Sequence, residues 1–304
     1  MSGARSGGVV WIDGELVEVG AARVPVLDHG LLYGDGIFEG MRIYDGRLFR
    51  LDRHLARLAA GARALCLELP GGTEAIREIV LATARAYGRP DAYIRLIVTR
   101  GEGALGVDPT SCPKPRVICL VDQVAIYPEE KRQAGIDLIT ASLRRPPADV
   151  LDPRVKSLNY LNNALAKGEA RRHGADDALL LNCAGLVAEA AVANVFVVRD
   201  GMLLTPPGSD GALEGINRAT ALELACELGI PAAERSLGRY DLFAAEEVFL
   251  SGTGVGGFVP VRSLDGERVG GKPPGPVLLR LRSAFEAAKA RLGVPIDPKA
   301  ASAR

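Results

Sequence analysis

An α/β protein of two units is predicted by three features of this 304-residue chain. Strand-like runs alternate with helices that carry recognisable ends, and a charged segment, YPEEKRQAG, separates two such sets. The strands recur too unevenly for an eight-unit barrel, and no internal repeat is evident. With 48% hydrophobic and 24% charged residues, the chain can bury one large or two medium cores. The predicted division is a small α/β domain over 1–122, a linker over 123–134 and a larger domain over 135–304.

VVWIDGELVEV reads as two strands joined at Asp13 and Gly14, residues whose backbone accepts a tight hairpin. GMRIYDGRLFRL repeats the pattern at Asp45 and Gly46. Asp52 is placed to cap RHLARLAAGARALCLEL, and Thr73 to cap EAIREIVLATARAYG, which Gly88 and Pro90 stop. DAYIRLIVTRG and PRVICLVDQV are the next strands. YPEEKRQAG reads as an exposed linker, followed by the strand IDLITASL. A helix after Lys156, strands in DDALLLN, LVAEAAVANVFVVRDG and MLLTP, the helix NRATALELACELG, the strand AEEVFLSG and a terminal helix VLLRLRSAFEAAKARLG complete the second set.

Composition excludes several function classes. Lys+Arg and Asp+Glu both number 37, so no global field gathers nucleic acid or anionic membrane. Five cysteines, Cys66, Cys112, Cys119, Cys183 and Cys226, form no CxxC pair and read as reduced intracellular thiols, which points to the cytoplasm. His29, His54 and His173 offer no zinc spacing, so no metal is expected. MSGARSGG lacks the apolar run of a signal peptide, and Asn182, Glu189 and Asn194 interrupt the most apolar stretch, so no membrane span is expected.

The chemistry-bearing residues are fewer. A lone lysine is ordinarily a solvated cation, but Lys156 has company suited to an aldehyde cofactor, which needs an amine, a phosphate clamp and an anion beside its ring nitrogen. Glu189, among apolar residues in GLVAEAAVANVF, requires a positive partner, because burial alone would neutralise it. That partner is either a salt-bridging side chain or a pyridinium. Gly215, Ile216 and Asn217 precede or open a helix, where backbone N–H groups and the helix dipole bind phosphate, unless Asn217 is an ordinary N-cap. FLSGTGVGGFVPV offers a second amide-rich loop carrying the Thr253 hydroxyl, and Arg57 a fixed fork of donors. No P-loop is present.

In order, DHGLLYGDGIFEGMRIYDG, LDRHLARL, YIRLIVTRG, VKSLNYLNN, LVAEAAVANVF, GINR and EEVFLSGT resemble the fold type IV pyridoxal-phosphate enzymes, most of all the branched-chain amino acid aminotransferases. The resemblance spans nearly the whole chain. It implies a small mixed α/β domain, a larger domain built around a distorted β-barrel, pyridoxal 5'-phosphate as cofactor, and at least a homodimer. It also implies transamination of L-branched-chain amino acids with 2-oxoglutarate through an aldimine at Lys156, the catalytic residue. Tyr160 would bond the cofactor's phenolic oxygen, Glu189 would face its ring nitrogen, and Arg57, Ile216, Asn217 and Thr253 would hold its phosphate. Substrate-facing positions would be Phe38, Gly40, Arg42, Tyr93, Arg95, Thr253 and Gly254, with Tyr33 contributed by the partner subunit.

Neighbouring families match less well. D-Amino acid aminotransferases place an arginine and a histidine two residues apart after TRG, where a gap-free comparison gives Leu105 and Val107, and commonly have leucine at the position of Tyr160. Aminodeoxychorismate lyases use a threonine near the position of Gly40. A noncatalytic small-anion-binding scaffold is the alternative outside enzymes, and the intact Lys156 and Glu189 weigh against it. After the final strand, branched-chain enzymes usually continue GTAAEITPV; this chain has GTGVGGFVPV, one residue longer and without the glutamate.

Overall fold

The computed structural model describes residues 7–297. Residues 1–6 of the opening stretch and 298–304 of the predicted second domain lie outside it. The described residues form two compact units, one of 7–124, 155–159 and 288–297, the other of 125–154 and 160–287.

The first unit contains β1 (Val9–Ile12), β2 (Glu15–Glu18), α1 (His29–Tyr33), β3 (Gly36–Tyr44), β4 (Arg47–Phe49), α2 (Leu51–Ala64), α3 (Gly72–Tyr87), β5 (Ala92–Thr99) and β6 (Arg116–Asp122). Both predicted hairpins form. Asp13 and Gly14, at φ 53° and 94°, and Asp45 and Gly46, at 47° and 70°, supply the left-handed pairs that such turns need. The sheet runs from the C-terminal strand Gly293–Pro295 through β4, β3, β5, β6 and β1 to β2, every pairing antiparallel. Side chains alternate along β3, so Ile37, Met41 and Ile43 join Leu55 and Leu58 of α2, Ile76 and Val80 of α3 and Ile94 and Leu96 of β5 in one core. Phe38, Gly40 and Arg42 take the other face.

Two predicted caps are corrected. Helix α2 begins after Arg50, at φ 53°, with Asp52 already in its first turn; α3 begins after Gly71, at φ 69°, with Thr73 inside it. In both cases a left-handed residue that turns the chain sets the start, and no side chain caps it. Gly88 ends α3 as expected, at φ 70°.

The second unit holds α4 (Glu129–Ala134), β7 (Ile136–Arg144), α5 (Ala148–Leu151), α6 (Leu161–Arg172), β8 (Asp177–Leu181), β9 (Val187–Ala190), β10 (Asn194–Arg199), β11 (Met202–Thr205), α7 (Ile216–Glu227), β12 (Ala232–Glu234), α8 (Arg239–Phe243), β13 (Glu247–Gly252), β14 (Gly257–Leu264), β15 (Glu267–Arg268) and the part of α9 (Pro276–Leu292) that precedes residue 288. YPEEKRQAG is therefore no plain linker. Pro128 precedes α4, with Glu129 and Glu130 in the first turn and Lys131 and Arg132 in the last, the arrangement that complements a helix dipole. FVPV, read above as loop, opens β14.

The sheet order is β12, β11, β10, β13, β14, β7, β8, β9, with β15 against β14. The Ala190 N–H donates to Ala193 O at 2.8 Å, which ties the end of the terminal strand β9 to the approach to β10 near the opposite edge. The sheet thus curls back on itself, as the expected distorted barrel requires. No helix among the described residues is long and apolar enough to cross a membrane.

Candidate active-site residues

Lys156 was expected at the mouth of a helix, but it lies on an extended segment bonded to β3, five residues before α6 begins. The Phe38 N–H donates to Lys156 O at 2.9 Å, the Leu158 N–H to Gly36 O at 2.9 Å, and Ile37 and Ser157 form a bridge. This pairing places Val155–Asn159 in the first unit. The Lys156 Nζ stands 4.4 Å from the Phe38 ring centroid.

Register gathers the other substrate-facing candidates. Arg42 pairs with Tyr93 and Gly40 with Arg95, so Phe38, Gly40, Arg42, Tyr93 and Arg95 share one face of β3 and β5. The Arg95 guanidinium lies 4.5 Å from the Phe38 centroid, and its Nη2 donates to Tyr93 Oη at 3.1 Å. Arg95 Nε is buried without a hydrogen-bond partner. A Cβ at Gly40 would fall 2.3 Å from Tyr93 Oη, so only glycine lets the tyrosine cross the strand there. Arg42 Nη2 donates to Val124 O at 3.0 Å. Tyr33 ends α1, where its hydroxyl accepts from the Gly106 N–H at 2.8 Å.

The opposite face of β3 carries a group that sequence reading missed. Glu39 is fully buried; its Oε1 accepts from Arg57 Nε at 2.8 Å, and its Oε2 from Arg57 Nη2 at 2.8 Å and His54 Nδ1 at 2.7 Å. Burial alone would push the Glu39 carboxyl up, but the charges and hydrogen bonds of Arg57 and His54 together hold it at about 2. His54 is pushed below its ordinary range, first by burial and then by the charges of Arg57 and Lys156, with Glu39 opposing. A carboxylate only accepts, so a neutral His54 carries its proton on Nδ1. The available signal was a glutamate within the apolar row of β3, opposite a histidine and an arginine at i and i+3 of one helix.

In the second unit, Glu189 on β9 is 4% exposed and has a protein partner: Arg145 Nη2 donates to its Oε1 at 2.7 Å. Oε2 accepts from Asn194 Nδ2 and the Leu213 N–H, both at 3.1 Å. Arg145 is itself held, Nη1 donating to Asn163 Oδ1 at 2.8 Å and Nε to Gly211 O at 3.2 Å. Three donors on its two oxygens thus fix the carboxylate in place. Arg145 and Asn194 were missed, because nothing local links them to Glu189. Tyr160 takes the N-cap position of α6, half-buried.

The N-cap of α7 is Gly215, with no side-chain cap, and Ile216 and Asn217 form the first turn, both buried; the reading of Asn217 as the cap is corrected. A Cβ at Gly215 would lie 2.1 Å from Asn194 Oδ1, so the helix start packs directly on the residue that bonds Glu189. Asn194 is also the register partner of Ser251 on β13. Among the described residues, Asn217 Nδ2 and Ser251 Oγ are buried without hydrogen-bond partners. Thr253 and Gly254 sit in the four-residue turn between β13 and β14, which the Gly256 N–H closes on Thr253 O at 3.1 Å. An uncapped helix start beside two orphaned buried polar groups suits a phosphate, and a held carboxylate suits a protonated ring nitrogen. The residues present therefore fit pyridoxal phosphate.

The family model "Amino-transferase class IV" matches residues 36–264. This chain belongs to the class IV aminotransferases. Among curated relatives of this aminotransferase, a "Putative branched-chain-amino-acid aminotransferase" of Methanocaldococcus jannaschii is 43% identical over 287 residues, 94% of this chain and 98% of the relative. The crystal structure of the Escherichia coli branched-chain amino acid aminotransferase superposes with a TM-score of 0.91 at 34% identity, covering 95% of this chain and 99% of that one. The Thermobaculum terrenum branched-chain aminotransferase, solved in its PLP-form, gives 0.85 at 27% identity, covering 97% and 100%.

Proposed function

We propose that this class IV aminotransferase uses pyridoxal 5'-phosphate to transfer the amino group of L-branched-chain amino acids to 2-oxoglutarate, as a homodimer or higher homo-oligomer in the cytoplasm. The observation that carries the reading is the Lys156 amine, fixed by backbone pairing to β3 on the face that holds two arginines and two aromatic rings. The likeness to branched-chain enzymes over 94% of the chain supports the substrate class.

When bound, the cofactor supplies an electron-accepting ring that stabilises the charge left on the substrate Cα. With the cofactor loaded, Lys156 Nζ would hold its aldehyde carbon and would serve as the base that takes the substrate Cα proton. Glu189, held by the Arg145 guanidinium, would face the ring nitrogen and favour its protonated form. Tyr160 donates to the phenolic oxygen, and Arg57, Ile216, Asn217 and Thr253 hold the phosphate, with the Glu39 pair fixing the arginine's fork. Arg42, Arg95, Thr253 and Gly254 receive carboxylates, Phe38, Gly40 and Tyr93 line the side-chain position, and Tyr33 acts from a second copy of the chain.

Three measurements test the reading. Purified Lys156→Ala protein should lose the lysine-linked visible band and nearly all turnover; a retained band with near-wild-type rate rejects Lys156. Assays with 2-oxoglutarate as acceptor should favour L-leucine, L-valine and L-isoleucine; a strong preference for D-alanine rejects the stereochemical class. A monomer in light scattering rejects the assembly.

A further inference from the structure

The turn between β13 and β14 is where this chain departs from GTAAEITPV, and it has its own brace. Val255 is buried, and the glycines at 256 and 257 take φ 73° and 107°, conformations that leave the backbone little intrinsic stiffness. Arg132, in the last turn of α4, closes on this turn: Nη1 donates to Val255 O and Nη2 to Gly256 O, the latter at 3.0 Å. The same helix turn is anchored from behind. Arg282 Nη2 donates to Arg132 O at 2.5 Å and to Phe258 O at 3.2 Å, and Arg132 Nε stands 3.3 Å from Glu129. Ile126 packs against the other side of the turn, where a Cβ at Gly254 would meet its Cδ1 at 2.8 Å.

We propose that Arg132 is a positioning residue that sets the Thr253–Gly256 turn, and with it the reach of this enzyme toward substrate carboxylates. The inference rests on the proposed role of Thr253 and Gly254. A planar guanidinium that bonds two successive carbonyls orients both peptide planes, which a lysine ammonium cannot do. Fixing Val255 O directs the Gly256 N–H to the opposite side of its peptide plane, where it bonds Thr253 O and so fixes the amides that follow Thr253. The arginine replaces, from a distant helix, the local order that a turn without these glycines would have had.

The test uses cofactor-loaded wild type, Arg132→Met and Arg132→Lys, with 4-methylpentanoate as an amine-free carboxylate probe. Calorimetry measures the probe and absorbance titration the cofactor. Arg132→Met should bind the probe about tenfold more weakly and raise KM for amino acid and 2-oxo acid alike, with kcat and cofactor affinity changed less than about twofold. Arg132→Lys should lie between, about threefold weaker, and decides the matter if the methionine variant does not fold. Unchanged probe affinity, or cofactor affinity that falls in step with it, overturns the inference while leaving the proposed function intact. A wild type that binds cofactor and transaminates but ignores the probe also overturns it; a wild type without transamination overturns the proposed function itself.

Discussion

Arg57 grips Glu39 at two points, Nε to Oε1 and Nη2 to Oε2, each at 2.8 Å, in the interior of the first unit. The pair gives stability a definite sign with pH. The folded Glu39 carboxyl sits at about 2 against an ordinary 4.5, so the unfolded chain binds more protons between those values. The contribution is complete above about 4.5 and is lost as pH falls toward about 2. His54 adds an earlier loss that begins as pH drops below its ordinary 6.5, because the folded state resists its protonation. Urea unfolding across this range should show a two-stage decline that Glu39→Gln/His54→Gln flattens; a level profile would reject it.

Glu39→Gln alone leaves Arg57 in place without its counter-charge. Stability at pH 7 should fall by on the order of 3 kcal/mol, and a loss below about 0.5 kcal/mol in chemical unfolding would show that the pair is not structurally important.

On the proposed role of Glu189, Glu189→Gln should lower turnover about a hundredfold, because a neutral amide would not hold a ring proton as a carboxylate does. The ring-nitrogen titration of the loaded protein should move to lower pH, and an unmoved titration would remove Glu189 from that role.

Asn217→Ala separates binding from folding. Asn217 Nδ2 has no hydrogen-bond partner among the described residues, so its removal should change stability by less than about 0.5 kcal/mol. Cofactor affinity should nevertheless fall about tenfold if the amide serves the phosphate as proposed. Equal affinity in the two proteins, measured by absorbance titration, contradicts the assignment.

Gly40→Ala should force Tyr93 off its position, given the 2.3 Å approach of a Cβ to Tyr93 Oη. The expected cost is about 1–3 kcal/mol of stability together with a raised KM for the amino donor. Wild-type values for both would show that Tyr93 swings aside freely.

The two hairpins were legible because their turn geometry is carried by adjacent residues, Asp13 with Gly14 and Asp45 with Gly46. The starts of α2 and α3 were not, since Asp52 and Thr73 look like caps while Arg50 and Gly71 do the turning. Helix α4 was hidden by its shortness: six residues carry little periodicity, and the charges that suit its ends also suit a linker. At the candidate site, Lys156, Glu189 and the α7 start could be named from local pattern, whereas Glu39 was lost among its apolar neighbours.

By itself the sequence determined the kind of chemistry, through the residue types in its ordered motifs, and the two-unit α/β organisation, through local patterns of strand, turn and helix. Only the tertiary structure decided which groups work together: Arg145 with Glu189 across 44 residues, Arg57 with Glu39 across 18, and Arg132 with the Val255 carbonyl across 123. The reason is physical. Local preference acts over a few residues, but an ion pair or a carbonyl clamp depends on strand register and side-chain direction, and these exist only once the sheets have closed.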